Sequence, residues 1–73
     1  MKKEIVELII SELLKRVEEI KRLEIEDRVA YIGFLIQEIA GIPAIYLPSE
    51  VAEEILNAVG ERVRLSNNSF CNF

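Results

Sequence analysis

The chain has 73 residues with nine basic and 13 acidic side chains, a net charge of −4, and it contains one cysteine and no histidine. A single cysteine excludes a disulfide within the chain, and without histidine it lacks the usual ligands of a structural zinc site. A protein of this size buries only about 60 % of its unfolded surface, so regular helix packing or a partner chain usually stabilises it. We expect one helical domain, residues 1–65, followed by a flexible tail, residues 66–73.

The composition favours an apolar, helix-rich protein that does not enter a membrane. Apolar residues make up 51 % of the chain and charged residues 30 %. Many Glu, Lys and Arg side chains beside an isoleucine-rich core resemble the composition of heat-adapted proteins. The longest apolar run in the central region, residues 29–36, has eight residues, whereas a transmembrane helix needs about 18. Acidic residues also interrupt the N-terminal segment where a secretory signal would be apolar, so we predict a cytoplasmic protein.

The first predicted element is a long helix over residues 2–24. Its apolar residues recur at steps of four, three, four and three from Val6 to Ile20, the spacing of a heptad seam. A straight helix of about 22 residues is about 33 Å long, more than two shorter helices can cover. We therefore expect the seam and the second helix to contact another copy of the chain. The predicted interface residues are Val6, Ile10, Leu13, Val17, Ile20, Tyr31, Phe34 and Leu35.

Acid–base pairs with i,i+4 spacing support this first helix. In each pair the acid comes first, which is the better orientation for an exposed helical salt bridge. The three pairs are Glu12–Arg16, Glu18–Arg22 and Glu24–Arg28.

The second predicted element is a helix over residues 27–40, ended by Gly41 and Pro43. Apolar residues lie on nearly all of its sides, a pattern that indicates nearly complete burial at the centre of an assembly. Phe34 falls on the side of Glu38, outside the two apolar stripes. Residues 29–36 alone also fit a buried strand, because periodicity does not separate the two structures at this length. The continuation of the pattern to Gly41 favours the helix.

The third predicted element is a helix over residues 49–60, with Ser49 as its N-cap and Gly60 as its C-terminal cap. Residues 42–48, with two prolines, are interpreted as an extended connection in which 44–47 could form a short edge strand. The alternating residues 61–65 fit either a short strand or a frayed continuation of the helix. The predicted fold class is therefore all-α. It is a three-helix chain that assembles into a homo-oligomeric helical bundle.

The sequence offers no arrangement typical of an enzyme. Cys71 has no histidine to act as its base, and no glycine-rich turn precedes a helix to hold a phosphate. Most carboxylates occupy helical positions that face water. We predict no catalytic residue, no metal site and no cofactor.

The charge pattern limits the partners. Residues 1–24 hold six basic and six acidic side chains, whereas residues 25–61 hold seven acids and only Arg28, a local charge of −6. Nucleic-acid binding depends on clustered Lys and Arg, and only small basic patches exist, at residues 2–3, 15–16, 21–22 and 62–64. We predict a helical interaction, adaptor or small regulatory protein that acts as a homodimer and contacts a protein partner. The alternative is a nucleic-acid-associated transcriptional regulator that pairs its basic patches across the dimer.

Overall fold

Four α-helices and one short 3-10 turn make up residues 1–65, the part of the chain that the computed structural model describes. The predictions on Phe70, Cys71 and the rest of the tail lie outside these residues. The all-helical fold class is confirmed for the described part, which contains no strand. The elements in chain order are α1 (Lys3–Lys15), α2 (Val17–Lys21), α3 (Ile25–Ala40), the 3-10 turn (Ala44–Tyr46) and α4 (Ser49–Val63).

The predicted long first helix is interrupted at Arg16. This residue has φ −108° and ψ 14°, outside the α-helical region, and its amide donates to the carbonyl of Leu13 at 3.1 Å. Residues 2–24 contain no glycine or proline, so local propensity does not explain the interruption. Two shorter helices therefore replace the straight rod that would require a second subunit.

The seam of α1 and α2 is buried inside the chain's own fold. Both helices contact α3 and α4, and these two neighbours cover the seam from different sides. Ile9 is fully buried and Ile10 only half-buried, so the inward face passes through Ile9 where the heptad spacing predicted Ile10. The core cluster consists of Ile9, Leu13, Val17, Ile20, Ile32, Ile36, Ala52, Ile55, Leu56, Val59 and Val63.

The size of the molecule agrees with a core completed by one chain. Its accessible surface is 4857 Å², close to the roughly 4600 Å² expected of a folded monomer of this mass. Its radius of gyration is 10.8 Å, against about 11 Å for a compact domain of this length. A partner is therefore not required to hide the first helical segment.

Helix α3 confirms the second predicted helix and excludes the strand alternative for residues 29–36. It ends where predicted, at Gly41, whose φ of 78° lies in the left-handed region and whose amide donates to the Gln37 carbonyl at 2.9 Å. Burial is restricted to one face, with Ile32 and Ile36 fully enclosed. The expected burial on nearly all sides is wrong, because the outer face of α3 has no neighbouring helix within the described residues.

The segment 44–47 forms a 3-10 turn, and the predicted alternative of a strand is wrong. The amides of Tyr46 and Leu47 donate to the carbonyls of Pro43 and Ala44, each at 3.0 Å. These local bonds satisfy backbone groups that a strand without a neighbour would leave unpaired.

Helix α4 begins at the predicted place but runs past its predicted end. Ser49 is its first helical residue, so it does not serve as the N-cap. Val63 lies four residues after Val59 and is fully buried, which extends the apolar face beyond Gly60 and rules out a strand at 61–65. The helix ends at Arg64, with a left-handed φ of 58°, and the Leu65 amide donates to the Gly60 carbonyl at 2.8 Å.

Arg28 of α3 joins three segments at one end of the molecule. Its guanidinium donates to the main-chain carbonyls of Leu23 at 2.9 Å, Val63 at 3.0 Å and Lys21 at 2.9 Å. Its charge lies at the C-terminal ends of α2 and α4, where the helix dipoles favour a cation. Arg28 therefore caps two helices and does not form the predicted side-chain pair with Glu24.

The other two predicted pairs have different outcomes. Arg16 and Glu12 form the predicted salt bridge at 3.4 Å. Glu18 pairs with Lys21 at 3.8 Å, one position nearer than the predicted Arg22.

We predict that Arg28→Lys lowers the free energy of unfolding by about 1–3 kcal/mol, because an ammonium cannot reach all three carbonyls and charged hydrogen bonds contribute at this level. Urea unfolding followed by circular dichroism measures the loss. The matched control is Arg22→Lys on the exposed turn after α2, expected to change stability by less than about 0.5 kcal/mol. Equal effects of the two substitutions would contradict the capping role of Arg28.

Candidate functional site: an exposed apolar surface on α3

Several large apolar side chains of the described residues remain exposed on the folded chain, and Phe34, near the middle of α3, is the most exposed of those in α-helices. Its side chain is 61 % exposed, on the side of α3 that faces away from Ile32 and Ile36. The other exposed large apolar residues are Met1, Leu8, Ile25, Ile45 and Tyr46. We call Phe34 and the two hollows that flank it the Phe34 surface.

The first hollow, called the Gly33 hollow, lies between α3 and the 3-10 turn. It has a volume of about 420 Å³. On the α3 side the surface is recessed, because Ala30 has a small side chain and Gly33 has none. Ile45, which is 58 % exposed, forms the opposite wall. The complete lining is Ala30, Gly33, Phe34, Gln37, Pro43, Ala44 and Ile45, which includes no charged residue.

The second hollow, called the Arg16 hollow, lies on the other side of Phe34, between α3 and α1. It has a volume of about 520 Å³. Apolar side chains form its walls and charged groups lie at its edge. Its lining is Leu8, Glu12, Arg16, Phe34, Leu35, Glu38 and Ile39. Phe34 therefore separates an uncharged hollow from an amphipathic one.

Arg16 links the interruption between α1 and α2 to helix α3. Its Nη1 donates to the Tyr31 hydroxyl at 3.3 Å and its Nη2 to a Glu12 carboxylate oxygen at 3.4 Å, while Tyr31 donates to Glu19 at 2.9 Å. The hydrogen bond to the Tyr31 hydroxyl, followed by the Glu12 carboxylate, raises the pKa of Arg16 above its ordinary value. The folded state therefore favours the charged form. Because Arg is already protonated at lower pH in both states, this contribution is constant across the physiological range.

The predicted interface residues fall into three groups in the structure. Four of them, Val6, Leu13, Val17 and Ile20, lie in the chain's interior, so in this fold they contact the chain's own helices and are not accessible to a partner. Ile10, Tyr31 and Leu35 are half-buried. Phe34 is the exposed member of the set, and it lies between two hollows that α3 shares with other elements.

Part of the Phe34 surface can be predicted from the sequence. The position of Phe34 outside the apolar stripes and the close spacing of Ala30 and Gly33 are visible in the sequence. The sequence does not predict Ile45 as a wall residue, because residues 44–47 alone fit an extended connection or a strand. The folding of this segment against α3 is a tertiary contact, and no periodic pattern in four residues predicts it.

Apolar side chains predominate in the lining of the two hollows, and the charged residues Glu12, Arg16 and Glu38 line the Arg16 hollow. Within residues 1–65, no three His, Cys, Asp or Glu side chains come close enough together to bind a metal ion. No helix of this part of the chain has both the length and the apolar character needed to cross a bilayer.

We predict that Tyr31→Phe lowers the free energy of unfolding by about 0.5–1.5 kcal/mol, because it removes the hydroxyl that joins Arg16 to Glu19. Tyr46→Phe is the matched control, since Tyr46 is 73 % exposed and surface changes of this kind are usually within about 0.5 kcal/mol. Urea unfolding of both variants checks the difference. If Tyr31→Phe unfolds at the same urea concentration as the parent, the hydrogen bonds from Arg16 through Tyr31 to Glu19 do not stabilise the fold.

No protein-family model matches the chain, and no curated protein or solved structure is significantly similar to it. The fold and the geometry of the Phe34 surface are therefore the observations from which a function is proposed.

Proposed function

We propose that this chain is a non-enzymatic interaction protein, of the adaptor or small regulatory kind, that works as a homodimer through its Phe34 surface. The observation that carries the proposal is the 61 % exposure of Phe34 at the middle of α3, between two hollows with apolar walls. A folded chain gains nothing from such exposure in water. A contact that covers the ring explains it.

The magnitudes fit a dimer of modest affinity. A phenylalanine exposed to this degree presents roughly 120 Å² of surface, and its burial contributes about 3 kcal/mol at 25 cal/mol per Å². With Leu8 and Ile45, which line the two hollows, the exposed area reaches a few hundred Å², the size of apolar patch that is often functional in a monomer. A stable dimer buries about 800 Å² per partner, so polar surface around the patch would also be covered. We expect a dissociation constant in the micromolar range.

The interface of this proposal differs from the one that the heptad spacing predicted. The seam of α1 and α2 is occupied by α3 and α4, so association through it would require the monomer to open. The outer face of α3 needs no rearrangement. Experiments can therefore distinguish the two interfaces, because only association through the seam requires the monomer to open.

We predict that Phe34→Ser raises the dimer dissociation constant at least about tenfold and changes monomer stability by less than about 0.5 kcal/mol, because the ring is exposed in the monomer. Sedimentation equilibrium over a range of concentrations measures the first quantity and urea unfolding the second.

The matched control for Phe34→Ser is Ile25→Ser, which removes another exposed apolar side chain of α3, about 13 Å away along the helix. This variant is expected to dimerise like the parent. A parent chain that stays monomeric at millimolar concentration would refute the proposal.

Nucleic-acid association is a second candidate, favoured by one feature of the fold. The bonds from Arg28 to Lys21 and Val63 bring two basic patches, residues 21–22 and 62–64, to the same end of the molecule. These patches are distant in sequence and were predicted separately. Glu18 and Glu61 lie among them, so the local excess of positive charge is small.

We predict weak binding to duplex DNA at about 50 mM salt, because few phosphate contacts are available, and none detectable at about 200 mM, because added salt lowers an affinity that is already small. Fluorescence anisotropy with a labelled duplex measures it, and Arg62→Gln combined with Arg64→Gln is expected to abolish it. An anisotropy that does not change with protein concentration at about 50 mM salt would exclude nucleic-acid association.

A further inference from the structure

We infer that the two copies pack their α3 helices antiparallel about a two-fold axis, with Phe34 of each copy inserted into the Gly33 hollow of the other. This inference rests on the proposed function and adds the partner's orientation and register. Its starting point is that one exposed projection and one uncharged hollow lie side by side on the same helix face.

A two-fold interface is self-complementary: if one residue contacts another on the partner, the reverse contact also forms. Phe34 and Gly33 are neighbours in sequence, so an antiparallel pair centred between them places each Phe34 opposite Gly33 of the second copy. One arrangement of the two chains therefore places the Phe34 ring of each copy in the Gly33 hollow of the other.

The hollow has room for the ring. Apolar cavities of about 150 Å³ accept a benzene molecule, and the Gly33 hollow measures about 420 Å³. Ala30 and Gly33 form its low side and Ile45 its far wall, so an inserted ring would meet apolar atoms on both sides. The remaining volume is closed by the partner's helix backbone, which the small residues allow to approach.

In this register the numbers of two residues that face each other across the axis always sum to 67, as they do for Gly33 and Phe34. The charges of α3 are compatible with this arrangement. Ala30 falls opposite Gln37 of the second copy, which keeps the centre of the contact uncharged. The three acidic residues of the helix meet uncharged residues: Glu26 lies opposite Gly41, Asp27 opposite Ala40, and Glu38 opposite Val29. No acid therefore faces another acid across the axis.

A parallel pair lacks these features. In a parallel pair the two-fold axis runs along the helices, so each residue faces the same residue of the second copy. Phe34 then packs on Phe34 of the second copy, and the Gly33 hollows stay empty. Glu38 then lies near Glu38 of the second copy. Self-complementarity and charge both favour the antiparallel pair.

Crosslinking tests the register in a full-length Cys71→Ser background, which removes the chain's single cysteine. One chain carries Ala30→Cys and another carries Gln37→Cys. A short bis-maleimide is expected to link the equimolar mixture into a covalent dimer, because these two positions face each other. Each variant alone is expected to stay unlinked, since identical positions are seven residues, or about 10 Å, apart along the pair.

The outcomes distinguish the register from the proposed function. Linking of the Ala30→Cys chain with itself would show a parallel pair or an antiparallel pair in another register, and either result would overturn the inference. A dimer by sedimentation that gives no link in any combination would overturn the register and leave self-association standing. A monomeric parent would overturn both.

A second variant separates insertion of the ring from general apolar attraction. Ala30→Leu fills the Gly33 hollow from an exposed position and is expected to weaken dimerisation at least about tenfold, although it adds apolar surface. Glu53→Leu adds the same side chain at an exposed position of α4 and should leave the dissociation constant unchanged. Stronger association of Ala30→Leu would contradict ring insertion.

Residues 66–73 of the same chain are the competing occupant of the hollow. Occupation by this segment would make the parent monomeric, and a full-length Phe70→Ser, Phe73→Ser chain would lose thermal stability. The antiparallel pair predicts instead that this doubly substituted chain dimerises with the parent's dissociation constant.

Discussion

The fold depends on the burial of one apolar seam, that of α1 and α2, between α3 and α4 of the same chain. Leu13 and Ile20 are fully enclosed there, and the core cluster includes residues from all four helices. Hydrophobic burial is the dominant stabilising term in a domain of this size, and no disulfide is present within the chain to add to it. The seam is therefore enclosed by the chain's own helices, whereas the outer face of α3, with Phe34, stays exposed.

Two arginines connect the helices that enclose this seam. Arg16 lies where the first helical segment is interrupted and is joined to α3 through Tyr31, whereas Arg28 caps the C-terminal ends of α2 and α4. The planar guanidinium provides several donors in a fixed geometry, which suits both roles. These bonds fix the position of α3 on the core, and so they also fix the direction in which Phe34 points.

The sequence predicts the helices well and their arrangement poorly. The apolar periodicity locates α3 and α4, and Gly41 ends α3 as glycine at a helix C-terminus usually does. The interruption at Arg16 is invisible because no breaker residue marks it, and its bond partner Tyr31 lies 15 positions away. The predicted length of this helix was also the basis for the expectation that the seam contacts a second copy, which stays a prediction. The exposed position of Phe34 was readable from its place outside the apolar stripes, but the hollow beside it depends on the folded turn at Ile45.

The most direct test is an NMR dilution series on methyl- and aromatic-labelled chain, taken across the concentration range in which the dimer dissociates. If the seam is internal and α3 carries the contact, signals of Phe34, Ala30 and Ile45 shift with concentration, while those of Leu13 and Val17 stay constant. Shifts concentrated at Leu13 and Val17, or a loss of folded signals on dilution, would show that the seam itself is the interface between chains and would contradict its burial within a single chain.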